Sequence, residues 1–387
     1  MRTYDIVLFG ATGFTGELTA EYLARHSPVG ARWALAGRNQ AKLEAVRERL
    51  ARIDAEFAEL PLLKADSTDP DSLRAVAESA KVVITTVGPY LEYGEPLVAA
   101  CAEAGTDYVD LTGEPEFADR MYLKYHARAV ETGARLVHAC GFDSIPHDLG
   151  AYYTVKQLPE GVPITISGCV RAGGMPSGGT FNSALTAFSR VRQMVSTAKA
   201  RAQAEPKPPK RRVRVEQGKP HRMPGSKFWA IPLPTIDPQI VGRSAAALEG
   251  YGPDFTYRHF AAIKRLPTIV AGAAGLSAIF VAAQLPPARK VLGKLRKPGD
   301  GPDAALRAKS WFSVRFVGEG GGQRVRTEVS GGDPGYDETA KMLAESALCL
   351  AHDDLPPTAG QVTTAAAMGD ALLERLISAG IRFETVE

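Results

Sequence analysis

The chain of 387 residues has only four cysteines, Cys101, Cys140, Cys169 and Cys349, scattered with no Cys-x-x-Cys pair. That excludes a disulfide framework and any cysteine metal site of ordinary spacing, so no metal is expected, and it fits a reducing compartment. The net charge of +3 is small for this length and gives no basis for nucleic acid as a main partner. No targeting segment stands before the first apolar run, which starts at Tyr4, so a cytoplasmic protein is expected. Hydrophobic residues at 45% and charged residues at 23% are globular values, and the length suggests two or three domains.

The first feature present is an apolar run, Tyr4-Asp5-Ile6-Val7-Leu8-Phe9, entering Gly10-Ala11-Thr12-Gly13-Phe14-Thr15-Gly16. The run reads as a buried parallel strand, and Glu17 to His26 reads as a helix. Glycines placed between strand and helix let the chain turn tightly. They also let backbone N–H groups approach a pyrophosphate at the helix N-terminus. The glycine spacing alone is weak, because turns use glycine whatever they bind. With a strand before it and a helix after it, the segment predicts a nucleotide cradle of Gly10, Thr12, Gly13, Phe14, Thr15 and Gly16; the alternative is an ordinary β–α turn.

The second apolar strand, Trp33 to Ala36, ends in Gly37-Arg38-Asn39. An NAD site usually carries Asp or Glu roughly 20 residues past the glycines, for the ribose 2′-hydroxyl. No acid stands there. Arg38, with Asn39 beside it, can instead pair with a 2′-phosphate, which favours NADP; a solvated Arg at a helix start is the alternative. A third strand, Leu60 to Ala65, ends at Asp66 and Ser67, which are predicted to border the adenine. A fourth, Lys81 to Val87, precedes Gly88-Pro89-Tyr90. Ligands of such sheets bind beyond the carboxyl ends of the strands, so Thr86, Val87, Gly88 and Pro89 should lie along the cofactor. Strands over Tyr108 to Leu111 and Arg135 to Ala139 bring the count to six, alternating with helices. The fold class is therefore α/β, with a doubly wound parallel sheet over residues 1–150.

After residue 150 the rhythm stops, and an α+β domain for substrate or dimer contact is expected over 151–335. Ile164 to Val170 alternates like a strand, and Gly178 to Ser196 looks helical. Lys199 to Arg222 is rich in Lys, Arg and Pro. It reads as a mobile solvated loop or, alternatively, as a contact for an anionic lipid surface or acidic protein. Between Arg265 and Arg289 there is no charged residue in 23 positions. Prolines, glycines and much alanine there disfavour a true membrane span, leaving a buried helix, an interfacial helix or an acyl-chain groove. Trp311 to Val317 and Gln323 to Val329 read as a hairpin. Helices over Tyr336 to His352 and Thr364 to Ala379 form a tail, 336–387, expected to pack back on the first domain.

Taken together, these motifs resemble the saccharopine dehydrogenase-like oxidoreductases, most of all their actinobacterial branch of trans-acting enoyl reductases. The segments that carry the resemblance are Asp5 to Gly16, Ala34 to Arg38, Thr85 to Tyr90 with Tyr93-Gly94, Gly105 to Tyr108 with Asp110 to Glu114, Ala139 to Pro146 and Ala365 to Leu373. The match is poorest from about 200 to 310. The resemblance implies a Rossmann domain and a nicotinamide cofactor. It also implies an acyl or polyketide substrate, carried by a synthase and reduced in trans at a double bond during lipid or glycolipid synthesis.

Reduction of an enoyl thioester needs hydrogen-bond donors for the developing enolate and a proton source. Residues beyond the strand ends supply candidates: Tyr90 and Tyr93, Glu114, and Cys140, Asp143, Ser144 and His147. Tyr90 is the first choice as donor, with Asp143 and Ser144 as the other catalytic candidates; each also has a structural reading, as a cofactor contact or a helix cap. Two other readings stand beside this one. Cys140 with His138 or His147 would suit a semialdehyde-type dehydrogenase. A non-catalytic NADP-binding protein on lipid or a synthase is the third. A homodimer and peripheral contact with the inner face of the plasma membrane complete the expectations.

Overall fold

The computed structural model describes residues 2–174, 189–223, 227–265 and 301–386, with isolated positions 186, 267, 268, 272, 275, 279, 281, 282 and 284. Most of the apolar stretch 266–288 and about half of the helix expected from 178 therefore lie outside the described residues.

The N-terminal part supplies strands β1 (Tyr4–Phe9), β2 (Trp33–Gly37), β3 (Leu62–Lys64), β4 (Ala80–Thr85), β5 (Asp107–Asp110) and β6 (Arg135–Val137). Next come β7 (Ile164–Gly173), β8 (Arg212–Glu216), β9 (His221–Arg222), β10 (Trp229–Pro232), β11 (Asp254–Ile263), β12 (Trp311–Gly320) and β13 (Gln323–Gly331). The C-terminal part adds β14 (Gly360–Val362) and β15 (Arg382–Thr385).

Seven strands form one parallel sheet in the order β14-β6-β5-β4-β1-β2-β3. Both faces of β1 are buried, and its side chains alternate between two cores. Ile6 and Leu8 join the core on one face, and Val7 and Phe9 join the other. The helices between strands are α1 (Phe14–His26), α2 (Gln40–Leu50), α3 (Pro70–Ser79), α4 (Tyr90–Tyr93), α5 (Glu95–Ala104) and α6 (Pro115–Thr132). The seventh strand, β14, comes from near the C-terminus; its three residues leave too short an apolar signal for periodicity to detect. Strand β6 stops at Val137, short of the expected Ala139, because the Ala139 backbone turns to φ 61°. There its N–H donates to Asp110 Oδ1 at 2.9 Å.

The second sheet runs β15-β13-β12-β7-β11-β10-β9, with β8 also pairing β11. Helix α7 (Ile145–Val155) lies against it so closely that a Cβ on Gly150 would stand 2.4 Å from Phe316 Cε2. Among the described residues the remaining helices are α8 (Val191–Ala204), α9 (Asp237–Ala247), the short α10 (Ala304–Arg307), α11 (Asp337–His352) and α12 (Thr364–Ser378). Helix α11 packs on α1 and on β1, β4 and β5 of the first sheet.

The basic stretch 199–222 is not a solvated loop. Helix α8 runs through it to Ala204, and β8 pairs with β11 in register Phe255↔Val213. Two of its cations are tied into the fold, while Lys207, Lys210 and Lys219 are exposed. Arg201, 3% exposed, meets Asp119. Arg211 donates to the carbonyls of Ala245, Leu248 and Gly252, around the C-terminus of α9, where a cation is favoured. The prolines that argued against order, Pro206, Pro208, Pro209 and Pro220, lie between these elements.

Candidate active site

The glycine turn closes on itself. Gly10 sits at φ 90°, and its carbonyl accepts from Gly13 N–H at 3.0 Å. A Cβ on Gly16 would stand 2.2 Å from Gly10 O, so α1 can approach the strand end only with glycine there. Gly10 is hemmed in by Val87 Cγ2, 2.7 Å from where its Cβ would be. These two glycines are demanded by the protein itself. Gly13 is not: its φ is −86°, and the nearest atom to an added Cβ is an ordinary 3.5 Å away. Gly13 is the N-cap of α1, and no side chain caps that helix. Its missing side chain keeps the positive helix end open to an anion, which is the fit a pyrophosphate needs.

Around this turn the predicted residues converge at the carboxyl ends of β1, β2, β3 and β4. Thr12, Phe14 and Thr15 are half-buried. The Phe14 ring is occupied by Tyr336, with centroids 4.8 Å apart, and by the Arg307 guanidinium at 5.3 Å, so this residue offers its backbone to the site. Thr86 Oγ1 donates to Gly10 O at 3.0 Å and pins the β4 end to the turn. Val87, Gly88 and Pro89 continue from there into α4. Arg38 is exposed at the tip of β2. Asn39 Oδ1 accepts from Lys42 N–H at 3.0 Å and so caps α2. Asp66 accepts from the Thr68 N–H and hydroxyl, which hold its carboxyl below the usual range; the nearby charge of Arg38 adds to this. Ser67 beside it is half-buried. The exposed guanidinium at the β2 tip fits a 2′-phosphate.

Tyr90 is not placed as a proton donor. It is 6% exposed, its hydroxyl donates to Thr85 O at 3.2 Å, and the hydroxyl oxygen accepts from Leu111 N–H at 3.1 Å. Burial, followed by the charge of Asp110, pushes its pKa far up. Its backbone N–H and that of Leu91 donate to the two oxygens of buried Glu114, at 3.0 and 2.9 Å. Tyr90 thus braces β4 against β5. Cys140 is fully buried, and burial with Asp110 nearby raises its thiol well out of range of a thiolate nucleophile. His138 is committed to Asp110, with Nδ1 2.7 Å from Oδ2. Ser144 is also fully buried and does not cap α7; its hydroxyl has no hydrogen-bond partner among the described residues.

Asp143 differs from these. It is half-buried beside Gly113, where an added Cβ would lie 2.8 Å from Asp143 Oδ2. Burial, then the charge of Asp237, raises its carboxyl to about 6, against the opposing pull of His147. Behind it lie His147 on α7, Asp237 at the start of α9 and His259 on β11. Phe142 packs edge-on to both His147 and Phe312, at 5.7 and 5.1 Å. Sequence reasoning reached His147 but missed Asp237 and His259. Their signals, an acid before Pro238 and a histidine in a strand of mixed polarity, each occur in ordinary structural settings.

A parallel sheet with an uncapped glycine turn, joined beyond the end of β6 to a second sheet through Phe142 and Phe312, defines a dinucleotide-dependent oxidoreductase. The chain belongs to the saccharopine dehydrogenase-like oxidoreductases, and its cofactor is NADP. The saccharopine dehydrogenase NADP binding domain family matches residues 6–137. Over 99% of its length the chain is 40% identical to a candidate trans-acting enoyl reductase of Mycobacterium tuberculosis, covering 98% of that protein. It is 38% identical to a trans-acting enoyl reductase of Mycobacterium bovis, over 98% of this chain and 97% of that one. Among solved structures, apo saccharopine dehydrogenase (L-Glu forming) from Saccharomyces cerevisiae superposes with a TM-score of 0.57 at 12% identity, covering 99% and 100% of the two chains. That likeness shows a shared fold.

Proposed function

We propose that the chain is an NADPH-dependent trans-acting enoyl reductase, reducing a carbon–carbon double bond in an acyl or polyketide chain held by a synthase or carrier in lipid biosynthesis. The observation that carries this reading is the identity of 38% and 40%, over nearly the whole of both chains, to relatives that bear that name. The likeness covers the second sheet as well as the dinucleotide domain.

The site's chemistry agrees. When bound, NADPH supplies the hydride for one carbon of the double bond. Gly13 and the first turn of α1 would hold its pyrophosphate, and Arg38 its 2′-phosphate. The other carbon needs a proton, and Asp143 is the group that can hold one near neutral pH, its carboxyl raised to about 6. Phe142, the residue before it, packs edge-on against Phe312 at 5.1 Å. Cys140, sealed in the core, leaves the semialdehyde reading without a nucleophile. The test is NADPH oxidation in the presence of enoyl thioesters of increasing chain length. The expected result is NADPH loss with a product heavier by two hydrogens. Tight NADPH binding with no oxidation for any enoyl thioester would refute the proposal.

A further inference from the structure

The glycine turn has neighbours from far along the chain. Gly301-Pro302-Asp303 leads into the single turn α10, which Asp303 caps by accepting from Leu306 N–H at 2.8 Å. This short segment, directly before β12, is seated on Phe14, the first residue of α1. A Cβ on Gly301 would stand 2.3 Å from Phe14 Cε1, so the backbone there lies against the ring. The guanidinium of Arg307, the last residue of α10, lies 5.3 Å from the centre of the same ring. Tyr336 meets that ring edge-on at 4.8 Å.

Two bonds fix the Arg307 head. Nε donates to Asp337 Oδ1 at 2.8 Å, and Nη1 donates to Pro302 O at 2.7 Å. Nη2 makes no hydrogen bond among the described residues. A guanidinium has five N–H groups in one plane and can serve an anion on each edge. Asp337 takes the Nε edge; its side chain is 45% exposed, so water screens its charge. The Arg307 side chain is only 13% exposed. A pyrophosphate is a double anion, and the N-terminus of a helix offers about half a positive charge. The acid in the first turn of α1, Glu17, is paired with Arg49 at 2.8 Å. Arg38 stands apart at the tip of β2, the place for the 2′-phosphate. The pyrophosphate therefore calls for a further cation beside the turn, and Arg307 is placed to be that cation.

We propose that Arg307 is a cofactor-binding residue: its Nη2 edge donates to the pyrophosphate of NADP(H), alongside the N–H groups of Gly13 and the first turn of α1. Phe14 follows Gly13 directly, so the guanidinium against its ring stands beside the turn that receives this anion. The contact comes from well outside residues 6–137, which match the NADP binding domain family. The cofactor is thereby held from the segment that enters the second sheet as well as from the first. The inference rests on NADP as the cofactor and not on the reaction proposed above.

Equilibrium binding of three ligands to the full-length chain tests this. NADPH and 2′-phospho-ADP-ribose carry the pyrophosphate; adenosine 2′-monophosphate does not. Arg307→Met keeps an apolar stem on the Phe14 ring and removes the charge. It should bind the first two ligands about 10–100-fold more weakly, as loss of a charge-assisted hydrogen bond does, and adenosine 2′-monophosphate within about twofold of the parent. Arg38→Ala should weaken all three. Arg307→Gln, which keeps an N–H donor for Pro302 O, should show the same split as Arg307→Met, and it decides if Arg307→Met does not fold. Unchanged NADPH affinity in either folded variant would overturn the proposal. So would an equal loss for adenosine 2′-monophosphate, which marks a general loosening of the site. Binding alone is read, so failure of the enoyl reductase reading would show separately, as bound NADPH that no enoyl thioester oxidises.

Discussion

Replacing Asp143 with Asn should make the protein more stable and less active at once. The carboxyl is raised from 3.8 to about 6 by burial and by Asp237, so the folded chain holds this proton more tightly than the unfolded chain does. Stability contributed by the group is complete below its unfolded value and is lost as pH rises towards about 6. A difference of that size is worth about 3 kcal/mol against the ionised form. Asp143 is half-buried, so solvent screening reduces the figure to about 1–2 kcal/mol. Asp143→Asn has no such charge to bury. In urea unfolding at about pH 7.5 the variant should exceed the parent by about 1–2 kcal/mol, and at about pH 4 the advantage should vanish. Reduction by the variant should fall about a hundredfold or more, as loss of a general acid does. An equal stability change at both pH values, or none at the higher one, would refute the placement of Asp143 as a strained acid.

Arg38→Ala removes the cation offered to a 2′-phosphate. NADPH should bind about 10–100-fold more weakly while NADH affinity changes by about twofold or less; equal losses for the two dinucleotides would contradict the role. The glycines separate fold from function. Gly16→Ala must displace Gly10 O from 2.2 Å and should cost about 1–3 kcal/mol in unfolding experiments. Gly13→Ala should cost less than about 1 kcal/mol yet weaken NADPH binding at least about tenfold, read by fluorescence titration. Tyr90→Phe strands Thr85 O and Leu111 N–H and should cost about 1–3 kcal/mol, with the kcat of the folded variant nearly unchanged. Lost kcat at unchanged stability would restore Tyr90 as the donor.

Most of the dinucleotide half was legible because a buried parallel strand is an unbroken apolar run, and β1 keeps that signal from Ile6 to Phe9. The glycine turn was legible for a related reason: the spacing that the peptide geometry demands at Gly10 and Gly16 is visible as residue identity. Arg38 stood out through the acid it replaces. Tyr90 misled because a position at a strand end fixes where a residue sits and not where its hydroxyl points. The basic stretch misled for the opposite reason. Its charge is real, but Arg201 and Arg211 spend it on Asp119 and on helix-terminal carbonyls far away in the chain. The row behind Asp143 was out of reach because Asp237 and His259 are about 90 and 110 residues from His147, and only the crossing of α7 with α9 and β11 brings them together.

The most direct test of the account is to run the reduction of an enoyl thioester in deuterium oxide with unlabelled NADPH and to locate the label by NMR and mass spectrometry. The account predicts one deuterium in the product, at the α-carbon, with the hydrogen at the β-carbon unlabelled, and loss of that turnover in Asp143→Asn. An unlabelled product, or full turnover in Asp143→Asn, would contradict it.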